Sequence, residues 1–524
     1  MACVHVLVGQ CGNQLGANLL QALTDEARDS SDEEYAAQIS SLHFRPAPCF
    51  RSSGSTSVGA GLNNVNGVSN ANNESPLPRS VMIDMEPKVI ESVVANVDSV
   101  GAFQLHTQQC VTRDEGSGNN WAFGYFAQGS SRSDDIAEAL RRESECRGSV
   151  RSFHVLHSAA GGTGSGVGCL VSDIVRTDFP RAVILHSVVW PFSTGEVVTQ
   201  WYNCVLAMSA LRDSADGVFI LYNDDFNTIN SSSLRRTTPS VAPPTCEAGS
   251  DKEETGTAPA YIGINNEMSR LLLDLHLPHK LCDVSSPLGE GVARPQKPAY
   301  MSKMQPALHV AEALRSSSGL ADIVEAVALD PALKFFSGVS LPVTTSIIEN
   351  RGHTKINNSG PCLWKGLLND AARVSEDLFP TSRRGNSALS STTPFPCGGR
   401  AYLWSLRGSG AFSEGYTELR NVLGLEAKTP PTPLPTSLMI HEQSLRAYPA
   451  HVSVFGLTRH IGTRLAAALE RAEQLLRVGA FIHHFNNYSV GKKEMGDAIL
   501  RMWDTVAAYS DGFGDSGGDD DGGE

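Results

Sequence analysis

Five short runs of apolar, largely β-branched residues punctuate the first half of the chain. They are Cys3 to Val8, Val81 to Ile83, Phe153 to Leu156, Val183 to Val189 and Val218 to Leu221. None alternates strictly between polar and apolar positions, so each predicts a strand buried on both faces rather than one. Helix-like spacing lies between several of them. After the first run, Leu15, Leu19 and Leu23 recur every four residues and predict one face of a helix. This alternation of strand and helix predicts an α/β fold with a parallel sheet covered on both faces. Such sheets bind ligands beyond the carboxyl ends of their strands, so each run should be followed by residues fit for a ligand.

Each one is. The first run ends in Gly9-Gln10-Cys11-Gly12-Asn13-Gln14 and the second in Asp84-Met85-Glu86-Pro87. The third leads to Ser158 and a glycine run, the fourth to Glu196, and the fifth to Asn223-Asp224-Asp225. The glycine run Gly161-Gly162-Thr163-Gly164-Ser165-Gly166-Val167-Gly168 precedes an apolar stretch, Cys169 to Val175, suited to a helix. Between strand and helix, glycines let the backbone approach an anion, and N–H groups at the helix start point toward it. Thr163 and Ser165 add hydroxyl donors. Two other phosphate loops are excluded by spacing. Val167 stands where a P-loop needs lysine, and Cys169 stands where the Rossmann fingerprint needs its third glycine.

Asp84 and Glu86 have two readings: acids at a helix start beside Pro87, or groups that place Mg²⁺, through water, near terminal phosphates. Asn119 and Asn120, in Gly116-Ser117-Gly118-Asn119-Asn120-Trp121, read as a plain turn or as an anion nest. Tyr261 and Asn265 sit four apart on one face of a predicted helix. A ring there could stack on a base while the amide pairs with its edge, and Asn223 would supply a second amide, which suits guanine. His276-x-x-His279-x-x-Cys282 has metal-like intervals, but Pro278 interrupts it and no fourth ligand is obvious, so no zinc site is assigned there.

Composition narrows the setting. A formal net charge of −14 argues against a nucleic-acid partner, because binding to a phosphate backbone needs a basic surface. The 11 cysteines, with no CxxC pair, suit reduced thiols in the cytoplasm. The opening residues read as a buried strand rather than a signal peptide, and no segment is long enough for membrane insertion. The Gly-, Ser- and Asn-rich stretch Ser52 to Pro78, with Ser231 to Pro259 and Thr381 to Gly399, reads as disordered insertion.

Three motifs, GQCGNQLG (Gly9 to Gly16), GSGNNWAFGY (Gly116 to Tyr125) and AGGTGSGVG (Ala160 to Gly168), resemble the tubulin superfamily in order and spacing. Within it, IDMEPKVI (Ile83 to Ile90), NNWAFGY and WPFSTGEVVTQWYN (Trp190 to Asn203) look most like the delta-tubulin family. Ala160 replaces the first glycine of the usual triple-glycine run.

The resemblance implies a nucleotide-binding domain over 1–260, with insertions near 45–79 and 230–259, and a core helix with its following loop over 261–285. An α+β intermediate domain over 286–456 would carry an insertion near 381–399, followed by a C-terminal helical hairpin over 457–510 and an acidic tail over 511–524. The ligand would be GTP or GDP with Mg²⁺. Gln10 and Cys11 would touch phosphate and base, while Asn119 and the Gly162 to Gly166 loop would hold phosphates. Glu196 would lie at the ribose, with Asn223, Tyr261 and Asn265 around guanine. Gly319 to Glu325 resembles the acidic loop that, in tubulin-like polymers, completes the hydrolytic site of the next subunit. Glu325 would then orient or deprotonate the attacking water in trans, with Asp322 secondary; otherwise both are solvent-facing acids on a helix.

The implied role is structural, supporting triplet microtubules at the centriole or basal body and hence cilium formation, with weak GTPase activity that needs a partner subunit. The implied partners are other tubulins, of the alpha, beta and epsilon types, and centriole components. Alternatives are an epsilon- or zeta-like tubulin, a microtubule-lattice subunit or a soluble GTPase.

Overall fold

The computed structural model describes residues 2–45, 76–146, 149–195, 197–227, 259–283, 315–317, 319–328, 333–343, 361–378, 399–423, 436–446 and 448–511. The stretches read as insertions lie outside these residues except at their ends, where Leu77–Pro78, Pro259 and Gly399 enter regular elements. The tail beyond Asp511 also lies outside them.

Each of the five apolar runs is a strand. In chain order they are β1 (Ala2–Val8), β4 (Ser80–Asp84), β6 (Val150–Ser158), β7 (Val183–Trp190) and β8 (Gly217–Tyr222). The short strands β2 (Phe44–Arg45) and β3 (Leu77–Pro78) pair with each other, and β5 (Cys110–Thr112) follows β4. β1, β4, β8 and most of β7 are buried along their whole length, as non-alternating patterning requires. The second half contributes β9 (His279–Asp283), β10 (Arg315–Ser317), β11 (Phe335–Val343), β12 (Gly399–Gly408), β13 (Thr436–His441) and β14 (Ala450–Thr458).

Twelve of these strands form one sheet in the order β10-β9-β13-β12-β14-β11-β8-β7-β6-β1-β4-β5. From β5 to β8 every pairing is parallel. β11 joins the two halves. Its Phe335 and Phe336 pair parallel with β8, while Ser337 to Val343 pair antiparallel with β14. The chain winds from β1 through β4 to β5 in one direction, then from β6 through β7 to β8 in the other. The winding therefore reverses between β1 and β6, where such sheets open a crevice at their carboxyl ends.

The longer helices among the described residues include α1 (Gly9–Asp29), α2 (Glu33–His43), α3 (Pro87–Val100), α4 (Ser133–Glu145), α5 (Gly168–Asp178), α6 (Gln200–Ser214), α7 (Pro259–His276), α8 (Leu320–Val327) and α9 (Pro361–Leu378). Leu15, Leu19 and Leu23 are wholly buried on α1, as their spacing predicts. The described residues end in α10 (Arg459–Arg477) and α11 (Lys492–Asp511). Phe481 leaves α10 with a left-handed φ of 58°, and Phe485, fully buried, anchors the link between these two helices against Tyr202 of α6. Among the described residues no helix is long and apolar enough to cross a membrane.

Candidate functional site

The carboxyl ends of β1, β4, β6, β7 and β8 open onto one cavity of about 500 Å³, within the range of small-molecule sites. Gln10, Cys11 and Gln14 line it from the start of α1, and Asp84 and Glu86 from the end of β4. Ser158, Gly161, Gly162, Thr163 and Gly164 follow β6, and Asn119 faces them from the neighbouring turn. Asn223 follows β8, and Asn265 reaches the cavity from α7. Tyr261 lies in the first turn of α7, but its side chain, like Glu196, lies outside the described residues.

The glycine run does more than open space for a ligand. A Cβ on Gly162 would meet Asn120 N and Ser117 O at 2.6 Å, and one on Gly166 would meet Trp121 O at 2.3 Å. Gly9, with φ of 73°, packs so closely on the run that its Cβ would lie 2.9 Å from Gly164 N. These glycines let three loops interlock backbone to backbone. Gly161 is different, because nothing lies within 3.8 Å of its ideal Cβ; its backbone faces open space toward Asn119 Oδ1.

This interlocking corrects two expectations. Ser165 does not present its hydroxyl to the cavity, since its buried Oγ donates to Gly161 O and closes the turn. Gly166 does not line the cavity either, because it packs under Trp121 and Tyr125. Thr163 does line it, with its hydroxyl 2.9 Å from that of Ser117.

Buried amides hold the loops in register. Asn203 of α6 donates from Nδ2 to Asn119 O at 2.9 Å and Ala160 O at 2.7 Å, while its Oδ1 accepts from Trp121 N at 2.9 Å. Asn13 donates to Gly9 O and Ile83 O, tying the β1 loop to the end of β4. Asn119 itself is left-handed, with φ of 51°, a conformation that asparagine tolerates better than most residues. Asn120 serves the turn instead: its Oδ1 caps the next helical turn at Ala122 N and Phe123 N, and its Nδ2 donates to His484 O. The α10 helix clamps the far side, with Arg464 paired to Asp225 at 2.5 Å and stacked on Tyr222.

Asp84 and Glu86 stand at one edge of the cavity. Asp84 Oδ1 accepts from Glu86 N at 3.1 Å, and Oδ2 is buried without a hydrogen-bond partner. Burial, with the nearby Glu86 charge, pushes the Asp84 carboxyl up to about 6. Glu86 is the N-cap residue of α3 with Pro87 in the first turn, but its side chain makes no cap. Burial likewise pushes the Cys11 thiol up to about 12, so it stays protonated. No Lys or Arg lines the cavity among the described residues.

Asp322 and Glu325 lie on α8, away from this cavity. Asp322 is half-buried and lines a second, smaller cavity with Cys3, Arg151 and Ser152, residues from the amino ends of β1 and β6. Glu325 is exposed. The two acids thus occupy the opposite end of the sheet from the glycine loops.

Gln14, Gln200 and Phe192 also line the cavity, and Asn13 and Asn203 brace it. All five lie inside stretches whose order and spacing drew attention to the superfamily. Their individual roles depend on contacts between loops distant in sequence, which no local pattern encodes.

A doubly wound parallel sheet whose strand ends converge on a glycine-lined cavity defines a nucleotide-binding α/β domain. Residues 2–231 match the Tubulin/FtsZ family, GTPase domain. The match covers the doubly wound amino-terminal domain described above. Curated relatives include the Tubulin delta chain of Homo sapiens, 31% identical over 236 residues, which are 44% of this chain and 47% of the relative. The Tubulin delta chain of Mus musculus is 33% identical over 238 residues, again 44% and 47%. The Tubulin beta chain of Pyropia yezoensis is 31% identical over 237 residues, 45% and 47%. The chain spans about half the length of the curated relatives it matches.

Proposed function

We propose that this chain is a guanine-nucleotide-binding structural subunit of the delta-tubulin type, acting with other tubulins at centrioles or basal bodies. The observation that carries the nucleotide assignment is the convergence of five strand ends on one cavity, with Gly161 open toward it and the neighbouring glycines fixed by interlocking backbone. The phosphates would lie against Gly161 to Gly164 and Asn119. The base would lie toward Asn223, Asn265 and Tyr261, with Glu196 near the ribose.

The charge balance supports a cation. A triphosphate beside Asp84 and Glu86, with no lysine or arginine lining the cavity among the described residues, places like charges together. Mg²⁺ held by these carboxylates, directly or through water, would neutralise both and draw charge from the terminal phosphates. The unpartnered Asp84 Oδ2 fits that task.

Hydrolysis would be completed in trans. Because α8 lies at the opposite end of the sheet from the cavity, head-to-tail stacking would bring Glu325 of one subunit toward the nucleotide of the next, a heterologous contact. An isolated subunit would turn over GTP very slowly. Mass spectrometry of the nucleotide released from denatured purified protein tests the central reading. Guanine nucleotide is the expected result; NAD, or no nucleotide from protein refolded with excess GTP, would overturn it. A lattice-subunit role is the second reading, favoured by the similar identity to a beta chain. A tagged copy confined to centrioles or basal bodies would decide against it.

A further inference from the structure

At the opposite end of β1 from the cavity, four metal-ligating residues meet that no local sequence spacing brings together. Cys3 and His5 are two apart on β1 and so face the same side of the sheet. His43 is the last residue of α2 and His276 the last of α7. All four are buried, and one donor atom from each lies within 4.8 Å of the other three. We propose that Cys3, His5, His43 and His276 form a structural zinc site that ties β1, α2 and the core helix α7 together.

The hydrogen bonding prepares these side chains for a cation. His43 Nε2 lies 2.9 Å from His276 O, and a carbonyl only accepts, so Nε2 carries the proton and His43 Nδ1 is a lone pair. That lone pair lies 3.0 Å from His5 Nε2, near the donor–donor separation of a zinc tetrahedron, so these two nitrogens converge on one point. His276 Nδ1 is buried with no partner. An orphaned buried polar atom is costly, and one beside three other donors needs an explanation that packing alone does not supply. His154 supports from behind: its Nδ1 is 2.8 Å from His276 Nε2 and its Nε2 is 2.7 Å from Ser187 Oγ. Ligating histidines characteristically have such partners on the second ring nitrogen.

One thiolate and three neutral imidazoles form a four-coordinate set suited to Zn²⁺. Donor atoms in such a tetrahedron are about 3.3–3.6 Å apart, and the four here lie within 4.8 Å of one another, so small side-chain shifts close the site. On binding, the Cys3 S–H bond breaks, the sulfur electron pair forms the Zn–S bond, and the proton leaves to solvent, with no redox change. His5 Nε2 and His43 Nδ1 exchange their mutual contact for the metal, the His5 proton moves to Nδ1, and His43 keeps its bond to His276 O. The adjoining cavity of about 250 Å³, lined by Cys3, His43 and His276, gives an ion a way in.

The test uses the full chain, stripped with a chelator and then titrated with Co²⁺ alone and with Zn²⁺ alone. About one metal per chain, a thiolate-to-cobalt charge-transfer band, tetrahedral visible bands and a higher melting temperature are expected. Cys3→Ser should remove the charge-transfer band, and Cys3→Ser or His276→Gln should weaken metal binding about 10- to 100-fold. Wild-type protein with neither cobalt bands nor a thermal shift would overturn the proposal, whether or not the variants fold. Metal binding that survives both substitutions unchanged would place the ion elsewhere and would also overturn it. Mg²⁺-type binding at Asp84 and Glu86 is distinguished by its oxygen ligands, which give no thiolate band.

Discussion

The same parallel strands end in two different kinds of polar environment. At their carboxyl ends, polarity comes from backbone groups and short amides, held by interlocked glycine loops around an open cavity. At their amino ends it comes from imidazoles packed ring against ring with almost no exposure. The upper end opens a cavity of about 500 Å³ over its loops, while the lower end packs its rings beside a smaller one of about 250 Å³. An open end lined by fixed donors suits a ligand that comes and goes, because the loops need not reorganise to receive it. An end of mutually bonded, buried rings suits cohesion between β1, α2 and α7.

The sharpest way to break this contrast is to spoil the upper end alone. Gly162→Val would drive a branched side chain into Asn120 N and Ser117 O, both 2.6 Å from the ideal Cβ. Overpacking of this kind costs about 1–3 kcal/mol, and the misplaced loop should lose at least about 100-fold in nucleotide retention. Nucleotide content and melting temperature check this, and the cobalt signature of the lower end should survive. Retention at the wild-type level would mean that the glycine loop does not bind the ligand.

Asn203→Ala should act more gently, since it deletes a brace rather than inserting an obstacle. Three hydrogen bonds are lost and the Asn119 and Ala160 loops come apart. A loss of about 1–3 kcal/mol in thermal stability and roughly 10-fold in nucleotide affinity is expected. Asn203→Asp is the useful control, because it keeps the acceptor for Trp121 N but forfeits both donors. If Asn203→Ala retained normal affinity, the loops would be held by their glycine contacts alone.

Asp84→Asn should separate stability from binding. Burial raises the folded carboxyl to about 6, above its ordinary value. Any stability linked to that proton is present at low pH and lost as pH rises through about 6, so the ionised group destabilises the nucleotide-free fold at neutral pH. The amide should therefore raise the stability of nucleotide-free protein at pH 7.5 by about 1–3 kcal/mol and leave it nearly unchanged at pH 4. The same change should weaken Mg²⁺-dependent retention of nucleotide. Equal stability at both pH values would show that Asp84 carries no buried charge.

The upper end was largely legible in the sequence and the lower end was not. Non-alternating runs gave all five strands, and the parallel-sheet rule placed Gln10, Asp84, Ser158 and Asn223 on one edge before any contact was known. That worked because strand ends converge by topology, so local signals add up. The roles of Ser165 and Gly166 were misread because a glycine run looks the same whether it faces a ligand or another backbone. The lower cluster draws on positions 3, 5, 43 and 276, so no local interval reveals it. The interval that was visible, His276 to His279, misleads: His279 turns away to bond Leu277 O.

Glu325→Gln is expected to have the smallest effect on the isolated chain, and that smallness is its value. Glu325 is exposed on α8, at the end of the sheet remote from the cavity. Removing an exposed charge should change stability by less than about 0.5 kcal/mol and leave nucleotide content untouched. If subunits stack head to tail, the same substitution should slow assembly-dependent GTP turnover by about 100- to 10,000-fold, the contribution typical of one positioned general base. Turnover must therefore be measured with a tubulin partner and without one. A drop seen equally in the isolated chain would mean that Glu325 acts through its own fold. Unchanged turnover in the assembly would remove α8 from the chemistry and leave the lower end a purely structural face.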